Sequence, residues 1–156
     1  MQKLTIAVSI ALTLALTVPA ALAGHFGERV QADGLIIQSG MVPSGLLQRH
    51  AGESPEGSMH GGVPASPEYH HFMVALFDKD SGKRIEDAEV EATVGEVGTG
   101  GKTKELEPMQ IRGTTTFGNY FKMGEKGPYR VRLTIRRAGE EAVNATLTFP
   151  GISGHQ

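Results

Sequence analysis

The sequence YRVRLTIR, from Tyr129 to Arg136, alternates apolar side chains with charged or polar ones at a period of two. Successive side chains of an extended strand point to opposite faces, so this pattern predicts a strand with one buried and one solvated face. The same alternation recurs over residues 143–149 and residues 88–94. If these strands are neighbours, their outward glutamate and arginine rows are expected to pair across the sheet.

Residues 70–77 follow a different pattern, because both faces of this segment are largely apolar. One face carries Phe72, Val74 and Leu76, and the other carries His71, Met73, Ala75 and Phe77. Such a segment is typical of a central strand. It runs into a turn at residues 78–82, where Asp and Gly favour local side-chain bonds and positive φ.

Further turns are predicted at residues 98–101 and 124–128, and one or two leading strands over residues 30–42. Leu35, Ile36 and Ile37 are core candidates in these leading strands. No helix of substance is expected after the first 23 residues. Short strands separated by turns at this spacing predict an all-β fold, a single immunoglobulin-like β-sandwich.

The first 23 residues have the pattern of a cleaved secretory signal. Lys3 provides the positive region, residues 6–16 the apolar run, and Ala21-Leu22-Ala23 the small-residue cleavage site. We therefore expect an exported, periplasmic domain over residues 24–156. No later segment approaches the ~18 unbroken apolar residues of a membrane span, so the domain itself is not expected to cross a membrane.

Composition excludes several classes of function. A net charge of -2 argues against a nucleic-acid partner. The chain has no cysteine, which rules out disulfides and thiolate metal sites. Neither a G-x-S-x-G elbow nor a His-Glu-x-x-His pair occurs, so an enzyme is not expected.

Methionine and histidine recur together through the chain, at Met59-His60, His70-His71, Met73, Met109 and Met123. Thioether sulfur and imidazole nitrogen are the ligands expected of a copper-handling protein without cysteine. His71 and Met73 leave one face of a strand about 6.6–6.8 Å apart. With Met109 from a neighbouring strand they predict a site that favours Cu(I). The alternative is that both methionines fill core gaps and His71 is a hydrogen-bonded strand residue.

The stretch from about residue 50 to residue 67 is rich in Gly, Ser, Pro and Glu and is predicted to be a long loop. Long loops are usually functional or disordered. Met59 and His60 lie near its centre. They are interpreted either as a cap that closes over a bound metal or as part of a solvated linker.

Three stretches resemble the YtkA-like/FixH-like group of small exported β-sandwich domains: residues 72–78, residues 82–90 and residues 127–131. Those domains share a strand, a D-x-x-[SG]-G-type turn, a following "dA-x-V" strand and a late "G-x-Y" strand. The resemblance implies an association with membrane-bound metal or respiratory machinery.

Other stretches resemble the periplasmic iron-uptake protein family, which partners iron permeases and binds copper. They are Asp33-Gly34-Leu35, His71 on a strand, Glu107-Pro108-Met109 and residues 117–123. The resemblance implies that His71 matches the strand histidine of the family's copper site and Met109 the methionine of its M-P-M stretch. The histidine of its H-Y-G stretch meets Phe117, and Met73 stands where an acidic ligand is expected.

Together these observations predict a periplasmic protein that binds or delivers a transition metal, copper first and iron second. The predicted ligands are His71, Met73 and Met109, with Met59 and His60 as a cap. Its expected partner is a membrane transporter or a respiratory complex. The alternative is a non-catalytic docking module without metal. A homodimer formed through an open edge strand is a further possibility.

Overall fold

The computed structural model describes residues 27–49, 61–124 and 127–151. The predicted signal peptide and most of the predicted loop, including Met59 and His60, lie outside these residues. The described elements are β1 Arg29–Ala32, β2 Leu35–Pro43, α1 Ser44–Arg49, β3 Tyr69–Asp78, β4 Arg84–Ile85, β5 Glu89–Glu96, β6 Lys102–Ile111, β7 Thr114–Lys122, β8 Tyr129–Arg136 and β9 Val143–Phe149. The chain is all-β, as the alternating patterns predict.

All the strands pair antiparallel, in two layers that share β6. The layer called sheet A here contains β1, β2, β3, β7 and the second half of β6, and β4 pairs with the end of β3. The layer called sheet B contains the first half of β6 with β5, β8 and β9. Strand β1 also contacts β9. The result is a sandwich-like fold in which one strand belongs to both layers.

The core lies between the two layers and is lined by the faces that the alternation assigned to it. Strand β8 buries Tyr129, Val131, Leu133 and Ile135, and β5 buries Val90, Ala92 and Val94. Phe72 of β3 meets Phe121 and Phe149 edge to face, at ring-centroid distances of 6.4 and 6.0 Å. Such edge-to-face pairs suit the charge distribution of aromatic rings. Of the three leading core candidates, Leu35 and Ile37 are buried, whereas Ile36 points outward and is half-buried.

The predicted pairing of glutamate and arginine rows across the neighbouring strands β5 and β8 is met by the register at one position and missed at the next. Their register sets Glu89 opposite Arg136, but it sets Glu91 opposite Thr134. The ion pairs of Lys122 with Glu68 and of Arg137 with Glu140 lie outside these two rows. In this register most of the glutamates and arginines do not lie directly opposite each other. The register cannot be read from the sequence of either strand alone.

The short helix α1 is an addition to the predicted elements. Its first residue, Ser44, is fully buried, and the Ser44 hydroxyl donates to the backbone carbonyl of Ser66 at 2.9 Å. The Gln48 amide donates to the carbonyl of Pro64 at 2.6 Å. These two bonds attach the helix to the segment that leads into β3. No helix among the described residues is long and apolar enough to cross a membrane.

Strands β6 and β7 form a hairpin whose turn is built from Arg112 and Gly113. Both residues have positive φ, 52° and 78° respectively. Two central residues with positive φ match a type I′ turn, whose twist suits a tight hairpin. The turn sets the register of the hairpin, and therefore which side chains of β6 lie opposite those of β7.

We predict that Leu133→Ala lowers the free energy of unfolding by about 2–5 kcal/mol, because it opens a cavity in a close-packed core. Leu133 is only 1% exposed. Urea unfolding measures the change. Thr146→Ala, on the solvated face of β9, is the control and should change stability by less than about 0.5 kcal/mol. A similar loss in both variants would contradict this account of the core.

Stability should also depend on the protonation of His70. Burial lowers the pKa of His70, and hydrogen bonds to the backbone at Glu68 and Met123 only partly oppose that effect. The unfolded chain therefore binds a proton more readily than the folded chain, so stability falls as the pH drops below about 6.5, the ordinary histidine value. Urea unfolding at several pH values should show a shallower decline between pH 7 and 5 for His70→Gln. Parallel declines in the two proteins would contradict the prediction.

Candidate metal centre

The centre lies on the face of sheet A that points away from the core, called the outer face here. Directly opposite residues of paired strands share a face, so the register defines rows across β2, β3, β7 and β6. One row contains Gly40, Met73, Gly118 and Glu107. The adjacent rows set His71 opposite Tyr120 and Met109 opposite Thr116. All three predicted strand ligands therefore lie on one face.

His71 is completely buried although it points away from the main core. Its ring lies 4.7 Å from the ring of Tyr120, measured between centroids, with the planes tilted by 39°. Tyr120 is itself only 2% exposed. Contact with this aromatic ring holds the imidazole of His71 over the middle of sheet A.

Gly118 creates the space in which His71 and Met109 meet. A Cβ atom at this position would lie 2.9 Å from Nε2 of His71 and 2.8 Å from Cε of Met109. Both distances are shorter than an ordinary carbon contact. The imidazole nitrogen and the end of the thioether side chain therefore converge on one small volume, which a side chain at residue 118 would fill.

Met109 is 1% exposed and lies outside the main core cluster. It does not fill a gap in that core, as the alternative interpretation supposes. Met123 behaves in the opposite way, because it is fully buried within the core cluster. The same residue type thus serves packing at the end of β7 and lines the candidate centre on β6.

Met73 faces the same region from the other side of Gly118. It lies directly opposite Gly118 in the pairing of β3 with β7, and it is half-buried. It also lines a groove on the outer face. Met73 is therefore the predicted ligand with the greatest exposure to solvent.

Glu107 is a candidate donor that the pattern of methionine and histidine does not reveal. It lies opposite Gly118 from the β6 side, in the same row as Met73, and it is exposed. Its carboxylate is the acidic group nearest in register to the space over Gly118. The sequence does contain a signal for Glu107, because it precedes Met109 by two residues. In a strand this spacing puts both side chains on one face.

The register also shows where Phe117 lies, the residue that matches the histidine of the H-Y-G stretch. Phe117 belongs to the core cluster and points away from His71 and Met109. The residue of β7 that lies beside Met109 on the outer face is Thr116. Met59 and His60 lie outside the described residues, so their role as a cap stays a prediction.

The donors that the register sets on this face around Gly118 are the His71 imidazole and the thioethers of Met109 and Met73, with the exposed Glu107 carboxylate in the same row. In the described ranges no three His, Asp or Glu side chains are grouped as they are in a hard-metal site. A donor set of this kind suits a soft ion such as Cu(I) better than a hard ion. The chemistry of the side chains around Gly118 therefore suits copper.

Comparison with solved structures places this fold among small proteins that include copper-bound examples. The chain is similar to a DUF4426 family protein from Pseudomonas aeruginosa PAO1, with a TM-score of 0.58 and 17% identity, over 81% of this chain and 97% of that one. It is similar to a copper-bound variant of FetP from uropathogenic Escherichia coli strain F11, with a TM-score of 0.56 and 16% identity, over 81% and 96% of the two chains. A copper-bound variant of Campylobacter jejuni P19 gives a TM-score of 0.57 at 13% identity, over 80% and 94%.

No protein-family model matches the chain, and no curated protein matches it by sequence. At identities of 13–17%, the likeness to these solved structures establishes a shared fold. FetP and P19 bind copper on this fold. For the present chain, copper binding is a proposal.

We predict that Gly118→Ala destabilises the metal-free protein by about 1–3 kcal/mol, the usual cost of overpacking. The added methyl group would press on His71 and Met109, which must shift to admit it. Thermal or urea unfolding measures the loss. Gly100→Ala is the matched control, because a Cβ atom there meets nothing within 4 Å. Equal stability of the two variants would show that the space over Gly118 is not tightly enclosed.

Proposed function

We propose that this protein binds copper on the outer face of sheet A and delivers it outside the cytoplasm, in the periplasm. The observation that carries the proposal is the convergence of His71 Nε2 and the end of the Met109 side chain over Gly118. Met73 and Glu107 flank the same glycine within one row of the sheet. The fold shared with copper-bound FetP and P19 supports this choice of metal.

The proposed ligands are His71, Met109 and Met73. A neutral imidazole and two thioethers favour Cu(I), and iron is the second choice because it prefers harder donors. The Glu107 carboxylate would add an oxygen donor of the kind that Cu(II) or iron needs. In this proposal the copper ion is a cargo that the protein binds and passes on, and it is not a catalytic cofactor.

Each residue has a separate task in this proposal. Tyr120 orients the His71 ring, and the missing side chain at Gly118 lets His71 and Met109 approach each other. Burial of His71 and Met109 keeps bulk water away from the thioether. Met73 is half-buried at the edge of a groove, so it is the ligand from which an ion would enter or leave.

The proposed partner is a membrane transporter or a respiratory complex. The predicted signal over residues 1–23 and the similarity of the fold to FetP and P19 support an exported location. Met59 and His60 remain proposed as a cap, because they immediately precede the described segment that leads into β3.

A docking module without metal is the competing proposal. Such a module needs an exposed apolar patch or a free sheet edge. Large apolar side chains that the described chain exposes are Leu46 in α1 and Val97 after β5, which lie in separate elements. The convergence over Gly118 favours the copper proposal over docking.

The test is a competition titration of the metal-free protein with Cu(I) and with Cu(II), followed by thermal melting. A ligand that binds only the folded state raises stability by about 2.7 kcal/mol when present at about 100 times its Kd. We expect one equivalent of Cu(I) to bind tightly and to raise the melting temperature. No binding and no shift would leave the docking module as the better proposal.

His71→Ala and Met109→Leu should each weaken Cu(I) binding at least about tenfold, equivalent to about 1.4 kcal/mol. The same titration measures both. The matched controls are His70→Ala and Met123→Leu, which change the same residue types on the core side of β3 and at the end of β7. Affinity that is unchanged in His71→Ala and Met109→Leu, or lowered equally in the controls, would reject this site.

A further inference from the structure

A groove of about 400 Å³ crosses the outer face of sheet A beside the candidate metal centre. It exists because β3 and β7 stop pairing after Val74 and Phe117, while the β6–β7 hairpin continues to its turn at Arg112. Met73, Ala75 and Ile111 lie along its floor, and Arg84 and Arg112 line it as well. Its size is within the range of sites for small molecules.

The guanidinium of Arg84 bridges the gap between β4 and β7 and is held in one orientation. Its Nε and Nη2 donate to the Thr115 carbonyl at 3.0 and 2.6 Å, and Nη2 also donates to the Thr116 hydroxyl at 2.8 Å. The guanidinium carbon lies 4.9 Å from the centre of the Phe77 ring, a cation–π contact. These contacts use the Nε–H and both N–H groups of Nη2, so Nη1 is the nitrogen of Arg84 that has no acceptor among the described residues.

Neither arginine of the groove forms an ion pair with a described carboxylate. The described ion pairs involve Lys122 and Arg137 instead. Glu86 approaches this region, but its carboxylate accepts a hydrogen bond from the Thr115 hydroxyl at 3.1 Å. The groove therefore combines two cationic side chains with an apolar floor and has no acidic residue in its lining.

We infer that this groove binds a small organic polycarboxylate. Nη1 of Arg84 can donate to a carboxylate oxygen, and an arginine that is already fixed loses little side-chain freedom on binding. The guanidinium of Arg112 can match a second carboxylate through paired hydrogen bonds. The floor of Met73, Ala75 and Ile111 suits the hydrocarbon part of such a ligand. Inorganic phosphate has no such part, so the groove favours a carboxylate over phosphate.

The anion site depends on Arg84 and Arg112 alone, whereas a link to copper rests on the proposed function. The imidazole and thioether donors do not reduce the positive charge of a bound copper ion, which would lie close to Met73 and to a groove that is already cationic. A carboxylate in the groove reduces that repulsion, so metal and anion each strengthen the binding of the other by the same factor.

The test uses citrate as the probe on protein that has been freed of metal with an immobilised chelating resin, because soluble chelators are themselves polycarboxylates. Calorimetry and the NMR signal of the Arg84 side-chain Nε–H follow the titration. We expect saturable binding that weakens at least about tenfold in Arg84→Gln and in Arg112→Gln. Arg84→Lys keeps the charge but loses the planar group that Thr115 and Thr116 hold in place, so it should also bind more weakly. This variant covers the case in which Arg84→Gln does not fold.

Arg130→Gln is the matched control, because Arg130 is exposed on the outer face of sheet B and its loss changes the net charge equally. Absence of saturable citrate binding overturns the proposal, as does equal weakening in Arg130→Gln. Tighter binding of phosphate than of citrate overturns the assignment to carboxylates. These outcomes are independent of copper, and a repeat with Cu(I) present tests the link separately.

Discussion

The passage of β6 from one layer to the other is the constraint on which the rest of the structure depends. Residues 102–106 pair with β5 in sheet B, and residues 107–111 pair with β7 in sheet A. Hydrogen bonds hold the crossing, from the Asn119 amide to the Glu105 carbonyl at 2.8 Å and from Lys104 Nζ to the Tyr120 carbonyl at 2.7 Å. Because the second half of β6 belongs to sheet A, Met109 lies on the same face as His71.

The two faces of strand β3 carry different kinds of side chain. Phe72, Val74 and Leu76 are fully buried in the core, and a close-packed core provides most of the free energy of folding. His71 and Met73 lie on the other face, where a glycine in the neighbouring strand lets His71 and Met109 approach each other. The packing of the core is therefore separate from the imidazole and thioether groups of the outer face.

The strands were predictable because alternation of apolar and polar residues is a local property of the chain. The shared face of His71 and Met73 followed from the same period of two. The opposed position of Glu107, the placement of Thr116 rather than Phe117 beside Met109, and the mismatch of glutamate and arginine rows did not follow. Each depends on the register between strands, which is set by turns and by packing of residues far apart in sequence. Helix α1 was missed because six residues carry too weak a periodic signal.

By itself the sequence determined that this chain is all-β, which faces of its alternating strands are buried, and that the soft donors it can offer are methionine and histidine without cysteine. These properties are written in residue types and in spacings within single strands. Only the tertiary structure decided that Met109 meets His71 over Gly118 while Met123 enters the core, and that Arg84 lies fixed beside a groove. The reason is physical, since a site is formed by the pairing of several strands, and pairing depends on contacts that no single segment specifies.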